Sequence, residues 1–233
     1  MSSRLSHLAY EHLQSQLLTN RLPAGAKVSE LAIARQLGIS RTPVREAIRQ
    51  LQAEGLLYQI PSSGTYVAEP DQKEIIDAHE TRLALELYLL RRAVDRLGDS
   101  ERARLRRLVR AIRELAHDLR TRQQPFLTGV PLAELIQLER DFHATLLAPT
   151  DNELADRVIQ EVDVRLRIFL HRGNRMTLAD VAQTLLSYHH LAAAACRGDC
   201  EGSVAALEAY RCRQLRSAFA CLRAGPPRTA QLA

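Results

Sequence analysis

Apolar positions recur at three- and four-residue spacing along most of the chain, and that period predicts helices. Leu5, Leu8, Ala9, Leu13 and Leu17 form the first stripe, a helix over roughly residues 4–19 that the Pro23–Gly25 segment breaks. Leu31, Ala34 and Leu37 form a second, with Ser29 placed to cap its start, Glu30 in its first turn and Gly38 at its end. A third stripe, Val44, Ala47, Ile48 and Leu51, occupies one face of Ser40–Gln52, while Arg41, Arg45 and Arg49 fall elsewhere. Thr42 is expected to cap this helix, Pro43 to take its first helical position and Gly55 to stop it. Leu56–Ile60 and Thr65–Ala68 are β-prone runs flanking Pro61-Ser62-Ser63-Gly64, which predicts a hairpin.

After the connector Glu69–Asp71 only the helical period remains. Leu83, Leu87, Leu90, Val94 and Leu97 make one stripe, ended by Gly98; Leu105, Leu108, Ile112, Leu115 and Leu119 make the next, ended by a Pro125–Pro131 loop. Leu135, Leu138, Phe142 and Leu146 mark a third, Leu154, Val158, Val162 and Phe169 a fourth, and residues 177–197 and 201–223 supply two more. The expected fold is mainly α: a small N-terminal helical unit with a β-hairpin over residues 1–69, an all-α bundle of about six helices over 70–223, and a flexible tail over 224–233.

Composition narrows the function only a little. The net charge of +5 comes from 32 Lys and Arg against 27 Asp and Glu. Residues 1–70 carry seven basic and five acidic side chains, so charge clustering matters more than the total, and Arg35, Arg41, Arg45 and Arg49 form the cluster. No apolar run reaches the length of about eighteen residues that a membrane span needs, and the N-terminal stretch lacks a signal-peptide apolar core, so no membrane association and a cytoplasmic location are expected. Cys196, Cys200, Cys212 and Cys221 form no C-x-x-C pair and read as buried or partly exposed thiols. No G-x-S-x-G, H-E-x-x-H, phosphate-binding glycine loop or Cys–His signature is present, which argues against an enzyme.

Two short helices joined by a tight glycine-containing turn, the second bearing arginines, make the helix-turn-helix pattern, and the hairpin behind it makes a wing. A helix of about a dozen residues is about 18 Å long and fits a DNA major groove. Arginine pairs bidentately with guanine, hydroxyls serve phosphates, and a glycine at the wing tip lets backbone approach DNA closely. In the bundle, polar residues interrupt apolar stripes: Arg82 and Glu86, Glu139 and His143, Arg165, and Tyr188. Buried unpaired charge is costly, so each needs a partner or a ligand. Arg82–Glu86 and Glu139–His143 are equally readable as i,i+4 pairs on one helix, and the tyrosines as satisfied core residues.

The stretch LPAGAKVSELAIARQLGISRTPVREAIRQLQAEGLLYQIPSSGTYV resembles the N-terminal winged helix of GntR-family transcription regulators. The resemblance implies DNA contacts by Arg35, Arg45 and Arg49, with Thr42 near phosphate and Gly64 at the wing tip; Arg41 joins this set on its charge. RLALE, ERDFHATLL, Asn152 and the Gly198-Asp199 turn make residues 72–222 similar to the FadR-type helical ligand-binding domain of the same family. Many such domains hold a divalent metal such as zinc, nickel or manganese through Asp-x-x-x-His on one helix and two histidines on the last two. Here Glu139, Tyr188 and Tyr210 stand at three of those four places, and phenols, with a pKa near 10, are poor ligands. The sequence therefore favours no metal; were one bound, Glu139, His143 and His189 would be its ligands. The expected site is a metal-free pocket in which Tyr188, Tyr210 and His143 hydrogen-bond a carboxylate effector, with Glu139 nearby and Arg82 or Arg165 pairing its charge. The function so implied is a homodimeric repressor of a near-palindromic operator on double-stranded DNA, responsive to an organic acid. The alternative is a constitutive DNA-binding dimer whose bundle has only a structural role.

Overall fold

The computed structural model describes residues 2–19, 21–69, 71–124, 126–170 and 176–224. The elements run α1 (Ser2–Leu18), β1 (Lys27–Val28), α2 (Glu30–Leu37), α3 (Arg41–Ala53), β2 (Leu57–Ile60), β3 (Gly64–Val67), α4 (Gln72–Ala93), α5 (Asp99–Thr121), β4 (Phe126–Leu127), α6 (Gly129–Leu147), α7 (Glu153–Leu170), β5 (Met176–Thr177), α8 (Leu178–Cys196) and α9 (Cys200–Ala224). The described residues fall into two compact units, one drawn from residues 1–75 with 164–172 and the other from 76–163 with 173–233.

In the first unit α1 packs along α3. Ala9, Leu13 and Leu17 of α1 meet the stripe Val44, Ala47, Ile48 and Leu51 of α3, and all seven are essentially inaccessible. Each large aliphatic side chain removed from water there contributes about 1.5–3 kcal/mol. Ser29 caps α2 as its spacing predicts, accepting the Ala32 N–H at 3.2 Å, and Gly38 ends it in the left-handed conformation at φ 65°. The α3 start differs from the expectation. Ser40 is its N-cap, with no side-chain hydrogen bond, so Thr42 and Pro43 lie inside the first turn rather than at the cap and first positions. Pro43 still loses no bond, because the first-turn N–H groups have no intrahelical partner. The hairpin pairs Ile60 with Gly64 and Leu57 with Val67, and β1 adds a third antiparallel strand on the far side of β3.

The second unit is helical, with α5 and α8 packed side by side, α8 against α9, and α5 against α6. A large apolar cluster runs through it, including Leu89, Leu90, Leu105, Ile112, Leu132, Phe142, Leu146, Leu191 and Leu207. A two-residue ribbon, Phe126–Thr177 and Leu127–Met176, interrupts the helices where the periodicity shows only a loop. The α4 face is also rotated from its expected stripe. Leu83 and Leu87 are half-buried, whereas His79, Arg82, Glu86, Leu89, Leu90 and Ala93 form the inward ridge. No described helix is long and apolar enough to cross a membrane. The cysteines Cys196, Cys200 and Cys212 are free thiols. The side chains of Phe169 and Cys221, and the tail from 225 onward, lie outside the described residues.

Candidate functional site

The outward face of α3 follows from burial of the other one. With Val44, Ala47, Ile48 and Leu51 turned inward, helical geometry leaves Arg41, Thr42, Arg45 and Arg49 exposed on one surface, and Arg35 of α2 is exposed as well. Glu30, the first residue of α2, reaches across to this surface. Its Oε2 accepts from Arg41 Nη2 at 3.2 Å and from Arg45 Nη2 at 3.1 Å, while Arg45 Nε approaches Oε1 at 3.4 Å. The Arg45 hydrogen bond, helped by Arg41, holds the Glu30 carboxyl below the usual carboxylate range, and the same bond raises Arg45. Arg35 and Arg49 make no ion pair with a described residue. At the wing, Gly64 has φ 128°, a conformation that side chains rarely adopt, and a Cβ there would stand 2.9 Å from Lys27 Cε. Lys27, whose ammonium lies 5.9 Å from the Tyr66 ring centroid, is a cation beside the wing tip that the sequence reading missed. The signal lay in its pairing opposite Tyr66, which needs the β1 strand to be recognised.

The second unit holds a polar core on helices α4, α6, α7, α8 and α9. Glu86 is fully buried and receives three guanidinium bonds: Arg82 Nε at 3.0 Å, Arg211 Nε at 2.8 Å and Arg211 Nη2 at 2.6 Å. Burial alone would raise this carboxyl, but Arg211 and then Arg82 hold it well below the usual range. Arg82 also bonds Asp163, and Arg211 Nη1 donates to Gln214 Oε1 at 2.7 Å. The Arg211 backbone oxygen lies 2.8 Å from His79 Nε2.

Arg211 Nη2 lies 3.1 Å from His143 Nε2. A guanidinium only donates, so Nε2 is the acceptor and the ring proton sits on Nδ1. That nitrogen has no hydrogen-bond partner among the described residues and faces Glu86 Oε1 at 3.6 Å. Burial, then the Arg211 charge, lowers His143 well below an ordinary histidine, so the ring is neutral near pH 7. A phenolic chain continues from it. The Tyr188 hydroxyl is 3.0 Å from His143 Nε2, Tyr188 and Tyr210 are joined at 3.2 Å, and the Tyr210 hydroxyl donates to Glu139 at 3.2 Å.

Of the residues expected in an effector pocket, the structure thus gathers Arg82, Glu139, His143, Tyr188 and Tyr210 into one network. Two expectations are corrected. Arg165 does not join it: two residues beyond Asp163 on α7 it already belongs to the first unit, where its Nη2 donates to the Glu54 backbone carbonyl at 2.8 Å. His189 does not turn inward; it is exposed, because the adjacent Tyr188 takes the buried position. Arg82, expected to pair a ligand, is engaged by Glu86 and Asp163. Sequence reasoning missed Arg211, Asp163 and Gln214; the ridge Val204, Leu207, Arg211 on α9 is the pattern that carries the first.

A divalent metal does not suit this donor set. Arg211 already presents a fixed positive charge to His143 Nε2, and the two phenols are hydrogen-bonded to one another and to Glu139. Among the described residues, no group of three or more His, Cys, Asp and Glu is placed to hold a metal ion.

The gntR family of bacterial regulatory proteins matches residues 5–67, and the FCD domain matches residues 77–211, more than half the chain. An HTH-type transcriptional regulator of Agrobacterium vitis is 40% identical over 78 residues, covering 34% of this chain and 46% of its own length. The regulator McbR of Escherichia coli is 27% identical over 191 residues, 82% of this chain and 81% of McbR. The solved structure of E. coli McbR/YncC superposes with a TM-score of 0.77 at 23% identity, over 93% of this chain and 97% of that one, a likeness of fold. The chain belongs to the GntR family of bacterial transcription regulators, with an FCD domain as its helical part.

Proposed function

We propose that the protein is a regulator that binds double-stranded DNA as a homodimer, with residues 1–69 as the DNA-binding domain, 70–223 as the effector-binding and dimerisation domain, and 224–233 as a tail. The observation that carries this reading is α3, whose apolar face is wholly buried while Arg41, Arg45 and Arg49 share its exposed side. In this reading Arg45 and Arg49 read base edges, Arg35, Arg41 and Thr42 serve phosphates, and Gly64 brings the wing backbone to the duplex. A two-fold pair of such units matches a near-palindromic operator, occupied as a repressor in the cytoplasm. Anisotropy titration against a duplex selected from a random pool tests it. Arg49→Ala should cost about 1–3 kcal/mol in operator binding and relax base preference, and unchanged affinity would sink the assignment.

The effector in this reading is a small organic acid bound at Arg82, His143, Tyr188 and Tyr210. Its carboxylate would replace Glu86 or Asp163 on a guanidinium, so that binding and rearrangement of the core are one event. Operator affinity then changes only as far as the acid prefers one arrangement. A constitutive dimer is the second reading, favoured by the internal pairing of both buried guanidiniums. Thermal-shift screening with organic acids separates the two: a stabilising acid whose effect disappears in Tyr188→Phe supports the first, and silence across the series supports the second.

A further inference from the structure

A second concave feature lies away from the polar core, between α5 and α8. It encloses about 270 Å³ and is lined by Arg106, Val109, Arg110, Arg113, His189, Ala192, Ala193 and Cys196. The two helices contribute different chemistry. Val109 and Ala192 are buried and, with the half-buried Ala193 and Cys196, form an apolar floor. Arg106, Arg110 and Arg113 recur at i, i+4 and i+7, so all three stand on one side of α5 as an exposed rim. None of the three makes a hydrogen bond or ion pair with a described residue, although Glu114 follows Arg110 at i+4. The contrast with the core is sharp: there both guanidiniums are held by internal carboxylates, whereas none of the three cations lining this cavity is paired with a described residue. Like charges at i,i+4 disfavour a helix, and an anion between them reverses the sign of that interaction.

We propose that this groove is a binding site for a small organic anion, its acidic group held by Arg106, Arg110 and Arg113 and its short apolar body resting on Val109, Ala192 and Ala193. The small volume suits a metabolite-sized molecule rather than a long acyl chain, and small floor residues leave room for an aromatic or branched body. Guanidiniums suit either a carboxylate or a phosphate, and the apolar floor is what separates an organic anion from a bare one. The site is independent of the effector reading given for the polar core.

Isothermal titration of the full-length chain with benzoate, acetate and inorganic phosphate tests the proposal. Benzoate should saturate one site per chain, more tightly than acetate or phosphate, and Arg110→Ala with Arg113→Ala should weaken it about tenfold or more. Ala193→Leu, which fills the floor and leaves the rim charge intact, should also abolish it, whereas Tyr188→Phe should leave it unchanged. Circular dichroism and sedimentation confirm that the variants keep the fold and oligomeric state. Phosphate binding as tightly as benzoate, no saturable binding, or equal binding by the rim variants would each overturn the proposal. So would a change of oligomeric state in the rim variants, which would assign this face to a second copy of the chain.

Discussion

Arg211 bonds Glu86, Gln214 and His143 at once, and removing it tests the account of the polar core. In Arg211→Met the apolar stem is kept but Glu86 loses its Nε and Nη2 donors, at 2.8 and 2.6 Å, and keeps only Arg82. Glu86 and Arg211 are 0% and 1% exposed, so water cannot replace what is lost. Breaking one side of such a pair costs about 3–5 kcal/mol, because the buried Glu86 charge is left with one guanidinium that it must share with Asp163. Against a domain stability of about 5–15 kcal/mol this is a large fraction, visible in urea denaturation. The pairing also makes the loss conditional. In Arg211→Met with Glu86→Gln the orphaned charge is gone, so the double variant should be less damaged than the sum of the single ones, by about 1–3 kcal/mol of coupling. Arg211→Lys, a point charge without the fork, should fall between wild type and Met and provides a folded reference if Met does not fold. A loss under about 1 kcal/mol in Arg211→Met, or strict additivity in the cycle, would refute the claim that this guanidinium neutralises a buried carboxylate.

Three other perturbations probe separate parts of the chain. Glu30→Gln should release Arg41 and Arg45 and raise affinity for random duplex while narrowing the gap to the operator, with a salt slope steeper by about one unit; anisotropy at several salt concentrations reads all three. Burial lowers His143 and, to a smaller extent, His79, so an unfolded histidine of pKa about 6.5 takes up protons that the folded ring refuses. Stability should therefore fall as pH drops below about 6.5, and the slope of urea midpoint against pH should flatten in His143→Phe; an unaltered slope would show that His143 is not held neutral. Gly64→Ala should destabilise the first unit by about 1–3 kcal/mol through its φ of 128°, measured by thermal denaturation; an unchanged midpoint would show that the hairpin relaxes.

Local chemistry made much of the first unit legible before any coordinates. Ser29 and Gly38 carry cap signals that depend only on neighbouring backbone, and two β-prone runs on either side of a turn-rich tetrad mark the hairpin. Non-local pairing was less legible. Strand β1 is two residues long and acquires its identity only from Tyr66 and Thr65 across the sheet. In α4 the longest apolar stripe runs through Leu83 and Leu87, whereas the buried ridge carries His79, Arg82 and Glu86; a hydrophobicity pattern shows Arg82 and Glu86 only as interruptions and is blind to the partner that lets them be buried, Arg211, 125 residues beyond Glu86. The same blindness hid Arg211 and Asp163. Four of the pocket positions were found because each interrupts an apolar stripe, while Arg165 interrupts one too and is satisfied by a carbonyl of the first unit. A polar interruption signals a buried partner; which partner it has is a tertiary fact.

The Glu86–Arg211 bond also settles which way α9 faces. That helix sets Ala205, Ala206 and Ala209 among the buried Val204, Leu207 and Tyr210, so only a few large side chains fix its position by packing. A slip of one residue would rotate Arg211 by about 100° and strand two buried ions, one on each helix. The two-pronged contact is therefore a register mark for α9 against α4, supplying directional information that alanine, being nearly shapeless, does not contain.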